Sequence, residues 1–288
     1  MLYSNGPLSC LCKGNHFKSV FCYDNPPEGE VRFNFSNSDS YKREIFRCDL
    51  CGHYISKHNM KIGSFYTEDY VSSNYNDDKG IKKTFNTIIH LPPDKSDNLG
   101  RVRRILNFTE TFFSPEKFKN RNPKILDVGS GLCVFLYEMK KNGWECVAVD
   151  PDKRNAKHAE KNVGIKAICN DFLHIKNTGK FDMIAFNKVL EHIEDPVTIL
   201  SKSKEFIQKD GLIYIEVPDA EKAIKEGPER EEFFIDHHHI FSIVSLGLLV
   251  QRAGFEVILM RRLREPSSKY TIYCFISPVK TANSLNQS

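Results

Sequence analysis

The chain has 288 residues, 40% of them hydrophobic and 27% charged, enough to bury a core in one large domain plus an appendage or in two modest ones. A net charge of +4 is too weak to argue for a nucleic-acid partner, and the basic runs at 101–104 and 261–264 read as solvated helix faces. The start carries no basic region followed by an apolar run, and the longest apolar stretch, 240–250, has 11 residues where a membrane span needs roughly 20, so the expectation is a cytoplasmic protein that does not enter a membrane.

In chain order, the first 60 residues stand apart. Five of the nine cysteines lie there (Cys10, Cys12, Cys22, Cys48 and Cys51) among short strand-like runs at 31–35 and 44–47. In a reducing compartment such a cluster points to thiols or a metal rather than disulfides. Residues 61–123 are expected to form a lid and connector, rich in Tyr, Asn and Asp at first, helical near 100–113, and polar at 114–123. From 124 to 279 strands and helices alternate. The predicted strands are 124–128, 145–149, 165–169, 181–186 and 212–217, with a last antiparallel pair at 255–260 and 270–276. Helices are expected where Leu132, Phe135, Leu136 and Met139 share a face, at 153–162, from Ile199 to Ile207 ahead of Asp210-Gly211, and at 242–253, closed by Gly254. This alternation predicts an α/β fold, a mainly parallel Rossmann-like sheet with helices on both faces, and 280–288 reads as a flexible tail.

The most informative segment is 125–136, ILDVGSGLCVFL, followed by a second strand that ends at Asp150, 23 residues after Asp127. A dinucleotide fingerprint would need a third glycine where Val134 stands. Instead an acid, Asp127, precedes Gly129 and Gly131. Asp-x-Gly-x-Gly resembles motif I of the class I S-adenosylmethionine (SAM) methyltransferases, whose loop faces a sulfonium and an ammonium rather than a diphosphate. The resemblance covers residues 124–278. It implies SAM as cofactor, with Gly129, Ser130 and Gly131 approaching the methionine portion. Asp150, with Pro151 beside it, would accept from the ribose hydroxyls. Asp171 would accept from the adenine amino group while Phe172 packs on the base, and Asn187 and Lys188 would close the floor. Family members often carry a glycine where Cys133 stands. Asp171 can equally be the N-cap of the next turn. Upstream, Ser96, Asp97, Asn98 and Arg101 can reach a carboxylate or anion, or else begin a capped helix.

Two further segments bear on the acceptor. The run 181–196, FDMIAFNKVLEHIEDP, resembles methyltransferases that act on small molecules, and this places His192 at the methyl end of the cofactor. An imidazole there suits deprotonation of an acceptor; the alternative is a histidine packing at a helix start. The cluster 232–242, EFFIDHHHIFS, resembles sugar C-methyltransferases, in which an acid-His pair precedes an aromatic-Ser helix start. That makes His237 the second candidate base and Asp236, His238 and His239 candidate substrate contacts. The family usually has Glu at the position of Asp236. Adjacent histidines point in different directions, so one metal does not take all three. Tyr66, Tyr70 and Tyr75 can form an acceptor lid.

Cys10-x-Cys12 and Cys48-x-x-Cys51 resemble two knuckles of a zinc ribbon, four thiolates around one structural Zn²⁺. Because the first knuckle is C-x-C, Cys22 or His53 remains open as the fourth ligand. Zinc-ribbon sugar methyltransferases share this order of parts, and so does one group of ribosomal RNA guanine methyltransferases. The leading expectation is SAM-dependent methylation of a small polar acceptor, an activated or nucleotide-linked sugar in surface glycan or secondary-metabolite synthesis. The alternatives are an RNA base methyltransferase and a zinc-ribbon binding module that has lost catalysis. Asn187-Lys188-Val189-Leu190 is not the base-stacking motif that RNA methylation would require.

Overall fold

The computed structural model describes residues 10–30, 41–58 and 78–279. The strand-like run at 31–35 and the tyrosines at 66, 70 and 75 lie outside the described residues, as does the tail. Strands β1 (Phe17–Tyr23), β2 (Arg43–Cys48) and β3 (Tyr54–His58) form an antiparallel sheet. Its fourth strand, β9 (His239–Ile240), comes from nearly two hundred residues later and pairs with Tyr54 and Ile55. The N-terminal module is therefore stitched into the larger domain through backbone hydrogen bonds.

The larger sheet contains β4 (Lys124–Val128), β5 (Glu145–Asp150), β6 (Lys166–Cys169), β7 (Phe181–Asn187), β8 (Ile207–Pro218), β10 (Phe255–Arg264) and β11 (Tyr270–Pro278), in the order β10-β11-β8-β7-β4-β5-β6. Strands β6, β5, β4, β7 and β8 run parallel, and β11 is antiparallel to both of its neighbours. The strand order reverses outward from β4, which leaves a crevice at the carboxyl ends of β4 and β7, where ligands bind in open α/β sheets.

Alternation along the strands sorts the two cores. Leu126, Ile184, Phe186, Ile213 and Ile215 face α5 (Pro196–Lys202) and α7 (Ile243–Arg252). Ile125, Met183, Ala185 and Tyr214 face α1 (Asp78–Ile89), α2 (Asp97–Phe112) and α3 (Val134–Lys141). The expected apolar face of α3 is buried, with Leu132, Phe135, Leu136 and Met139 each at most 7% exposed. The expected helix at 153–162 is α4 (Lys153–His158), continued by a π turn over Ala159–Val163. A short α6 (Ala220–Ala223) follows β8.

Three sequence expectations need correction. The basic run 261–264 lies in strand β10, not on a helix. Arg101 and Arg104 are on a helix but are not solvated: both reach the fully buried Glu216. The helix expected to run to Ile207 stops at Lys202, and β8 begins at Ile207. Asp210 and Gly211 fall in a register irregularity of that strand, where a Cβ on Gly211 would meet Ile207 at 2.8 Å.

Candidate active site

At the end of β4, the turn that leads into α3 is built from left-handed residues: Gly129 (φ +67°), Gly131 (φ +49°) and Cys133 (φ +62°). A Cβ on Gly129 would lie 2.9 Å from Val189 Cγ2, so glycine is required there by both conformation and space. Cys133 is fully buried and burial pushes its thiol well up, which disqualifies it as a nucleophile. Asp127 is 2% exposed and accepts from Asn187 Nδ2 at 2.8 Å. Burial raises its carboxyl to about 7, against the opposing pull of the Asn187 hydrogen bond and the Arg101 charge.

Asp150 ends β5. It accepts from the Gly131 N–H at 2.7 Å, the Asp152 N–H at 2.9 Å and Asn155 Nδ2 at 3.2 Å. Its carboxylate therefore ties the glycine turn to the neighbouring crossover, and burial holds its pKa above the usual range. Ser130 donates its backbone N–H to Val149 O at 3.2 Å, and Pro151 is exposed beside Asp150. Asp171 caps the 3₁₀ turn Phe172–His174 by accepting from the Leu173 N–H at 2.8 Å. Phe172 does not present its ring to open space: it is 3% exposed and packs edge-on against Phe186. Ser96 caps α2, Asn98 donates to Val134 O, and Asp97 holds Ser267, so the polar run upstream is indeed a capped helix start.

Beyond β7 and β8 lies a cleft of about 400 Å³, whose lining includes Arg101, Lys188, Glu191, His192, Asp236 and His237. Arg101 pairs with Glu216 at its wall. Arg101 and Lys188 outweigh the cost of burial and hold the Glu216 carboxyl down at about 2. Burial and the neighbouring Glu216 raise Glu265 to about 8. Lys188, at φ +58°, bonds Thr271 Oγ1 at 2.6 Å, and burial lowers its pKa.

His192 and His237 come from different elements and meet here, with ring centroids 4.9 Å apart. His192 Nδ1 lies 2.8 Å from Asp236 O and His237 Nδ1 lies 2.8 Å from Glu232 O. A carbonyl only accepts, so both Nδ1 atoms carry the proton and both lone pairs sit on Nε2. Burial alone would raise Asp236, but His237 and His192 beside it hold its carboxyl below the ordinary value. His239 turns the other way, bonding His53 at 2.9 Å and Glu194 O at 3.2 Å. His238 is partly buried, and burial lowers its pKa.

Sequence reasoning overlooked Glu191. It is 1% exposed, and neither carboxylate oxygen has a hydrogen-bond partner among the described residues. Glu191, His192 and His237 bring ligand atoms within 4.8 Å of one another, a set that can hold a metal. The only sequence signal was its place next to His192.

The cysteine sulfurs of Cys10, Cys12, Cys48 and Cys51 also lie within 4.8 Å of one another, with Cys10–Cys51 at 3.3 Å and Cys12–Cys48 at 3.6 Å. Tetrahedral zinc with bonds of about 2.3 Å needs sulfurs roughly 3.8 Å apart, so the four thiols fit. Cys22 is exposed, and His53 spends both ring nitrogens on Ser245 and His239, which leaves neither in the set.

Comparison with known proteins agrees with this architecture. The family described as "Methyltransferase domain" matches residues 99–259, more than half of the chain. The chain is 28% identical over 131 residues to the mitochondrial ubiquinone biosynthesis O-methyltransferase of Schizosaccharomyces pombe, covering 41% of this chain and 48% of that one. It is 29% identical over 102 residues to the ubiquinone biosynthesis O-methyltransferase of Pelagibacter ubique, covering 33% of this chain and 42% of that one. The chain thus spans about half or less of the length of these curated relatives. Two solved structures share the fold. Magnesium protoporphyrin IX methyltransferase from Synechocystis, with S-adenosylhomocysteine bound, superposes with a TM-score of 0.53 at 10% identity, covering 72% of this chain and 97% of that one. The 1,6-didemethyltoxoflavin-N1-methyltransferase of Burkholderia thailandensis gives 0.51 at 16% identity, covering 85% and 99%. With the acid-glycine turn and the sheet order described above, the chain belongs to the methyltransferase-domain family and has the fold these methyltransferase structures share.

Proposed function

We propose that this enzyme methylates a small polar acceptor, an activated or nucleotide-linked sugar, with His192 and His237 as the proton-accepting groups. The observation that carries this reading is the pair of imidazoles in one cleft, each oriented by a backbone carbonyl so that Nε2 bears the lone pair. Methyl transfer is an in-line displacement: the acceptor atom forms a bond to the methyl carbon as the carbon–sulfur bond of SAM breaks. The acceptor proton passes to a histidine Nε2. Asp97, Glu191, Glu231, Glu232 and Asp236 line the same cleft and outnumber Arg101, Lys188 and Lys269. Such a wall offers carboxylate acceptors for the hydroxyl donors of a sugar.

In this reading residues 124–279 bind SAM, together with helices α1 and α2, whose Phe85, Val102 and Ile105 enter the same core. Asp127, Gly129, Ser130, Gly131, Asp150, Pro151, Asp171, Asn187, Lys188 and Arg101 surround the cofactor. Phe172 supports the adenine pocket from behind rather than stacking on the base, because its ring is in the core. The N-terminal module carries one structural Zn²⁺ on Cys10, Cys12, Cys48 and Cys51. The test is incubation with methyl-labelled SAM, offering a nucleotide-sugar pool and total RNA in separate reactions. Label in the sugar fraction supports the proposal; label in RNA alone overturns it.

A second reading rests on Glu191. Among the described residues neither oxygen of this buried carboxylate has a hydrogen-bond partner, and the charge of Lys188 offsets its burial, so a divalent ion would meet it directly. A divalent ion on Glu191, His192 and His237 would orient and acidify a hydroxyl acceptor. Turnover that survives exhaustive chelation, with the cysteine zinc still present by metal analysis, excludes this reading.

A further inference from the structure

The N-terminal module also carries a buried ion pair, at the end of β2 opposite Cys48. Glu30 and Arg43 are 1% and 0% exposed in their side chains and lie 3.0 Å apart. A buried pair of this kind seldom adds net stability over apolar packing, so its use is best sought in what it holds. Glu30 Oε1 accepts from the Ile235 N–H at 2.7 Å, and Arg43 donates to Phe233 O. The Tyr41 hydroxyl closes the group, donating to Glu30 Oε2 at 2.6 Å and accepting from Arg43 Nε at 2.9 Å. Arg43 also stacks 4.1 Å over the Tyr23 ring, and the Tyr23 hydroxyl donates to Pro228 O at 2.8 Å.

These contacts grip the backbone on either side of Phe234. The next two residues are Asp236, whose carbonyl orients His192, and His237, whose own amide bonds Phe234 O at 3.1 Å. Gly29, next to Glu30, itself lines the acceptor cleft. We infer that Glu30, Tyr41 and Arg43 are positioning residues for methyl transfer: the module braces residues 233–237 and so sets the orientation of both imidazoles. This inference rests on the reading of His192 and His237 as the acceptor-side bases. A displacement of about 1 Å at such groups can cost on the order of 100-fold in rate.

The test uses the full-length protein with Glu30→Ala, Arg43→Gln, Tyr41→Phe and the conservative Glu30→Gln, which retains an acceptor for the Ile235 N–H. Two-bond ¹H–¹⁵N spectra at pH 8 report imidazole tautomers without needing an acceptor, and calorimetry with SAM reports the integrity of the cofactor domain. The wild type should show single Nδ1–H tautomers for His192 and His237. Glu30→Ala and Arg43→Gln should mix tautomers for His237 while SAM affinity stays within about twofold, and Glu30→Gln should restore the single form. Should Glu30→Ala and Arg43→Gln fail to bind SAM, Tyr41→Phe, which deletes one hydroxyl, carries the same readout. Unaltered tautomers in every variant that binds SAM would overturn the brace, as would loss of SAM binding in Tyr41→Phe. Full turnover in His192→Ala and His237→Ala would instead remove the underlying reading, and the tautomer spectra separate the two failures.

Discussion

At the residue scale, Asp127 makes the sharpest prediction. Its carboxyl titrates near 7 because it is buried, so in the absence of cofactor part of the population is neutral at physiological pH. Since the folded pKa lies above the ordinary value of 3.8, this group's contribution to stability is greatest at low pH and is lost as pH rises through about 7. A cationic ligand beside it requires the charged form, so SAM binding should release a proton. SAM affinity should rise from pH 6 to pH 8, by up to about tenfold per unit below the pKa, and the binding enthalpy should depend on the buffer. Asp127→Asn should abolish that pH dependence, and an unchanged profile would remove Asp127 from the cofactor site. Asp127 was legible as an acid just before a glycine turn, and Asp150 as the acid that ends the following strand; both are local patterns. Glu191 and Glu216 were not, because their importance comes from burial beside residues on other elements, Glu216 meeting Arg101 from 115 positions away.

At the element scale, the turn between β4 and α3 is the most constrained part of the fold. Gly129→Ala should destabilise the protein by at least about 1 kcal/mol, because φ is +67° and the new methyl would press on Val189. SAM affinity should fall with it; thermal unfolding and calorimetry check the two effects. Strands β4, β5 and β7 and the glycine turn follow from period and composition alone, since short, mainly apolar runs with an Asp or Asn at or next to the carboxyl end are read without tertiary context. Helix α1 escaped detection because its sequence, DKGIKKTFNTII, exposes lysines and buries few side chains, chiefly Ile81 and Phe85. The two residues of β9 were also hidden: their strand geometry comes from pairing with Tyr54 and Ile55, not from local preference.

At the scale of the whole molecule, the N-terminal module and the methyltransferase domain hold each other. The cysteine knuckle abuts helix α7, with the Ser242 hydroxyl donating to Cys51 O at 2.6 Å and Arg252 donating to Leu11 O at 3.0 Å. Cys51→Ser should therefore lose the zinc proposed for the four thiols and loosen the cap of α7. A loss of ~2 kcal/mol would lower the melting midpoint by roughly 4–8 °C. Metal analysis and calorimetric melting test this, and full zinc content in the variant would remove Cys51 from the ligand set. Cysteine spacing revealed the module, but its attachment to the acceptor segment depends on contacts across two hundred residues, which no spacing encodes. The central claim concerns the two imidazoles that this attachment brings into one cleft. The most direct measurement is methyl transfer from labelled SAM to a nucleotide-sugar pool by wild type, His192→Ala and His237→Ala, with SAM affinity measured alongside. The proposed mechanism predicts that each variant loses about 100-fold in turnover while binding SAM within about twofold of wild type. Undiminished turnover in both variants would contradict it.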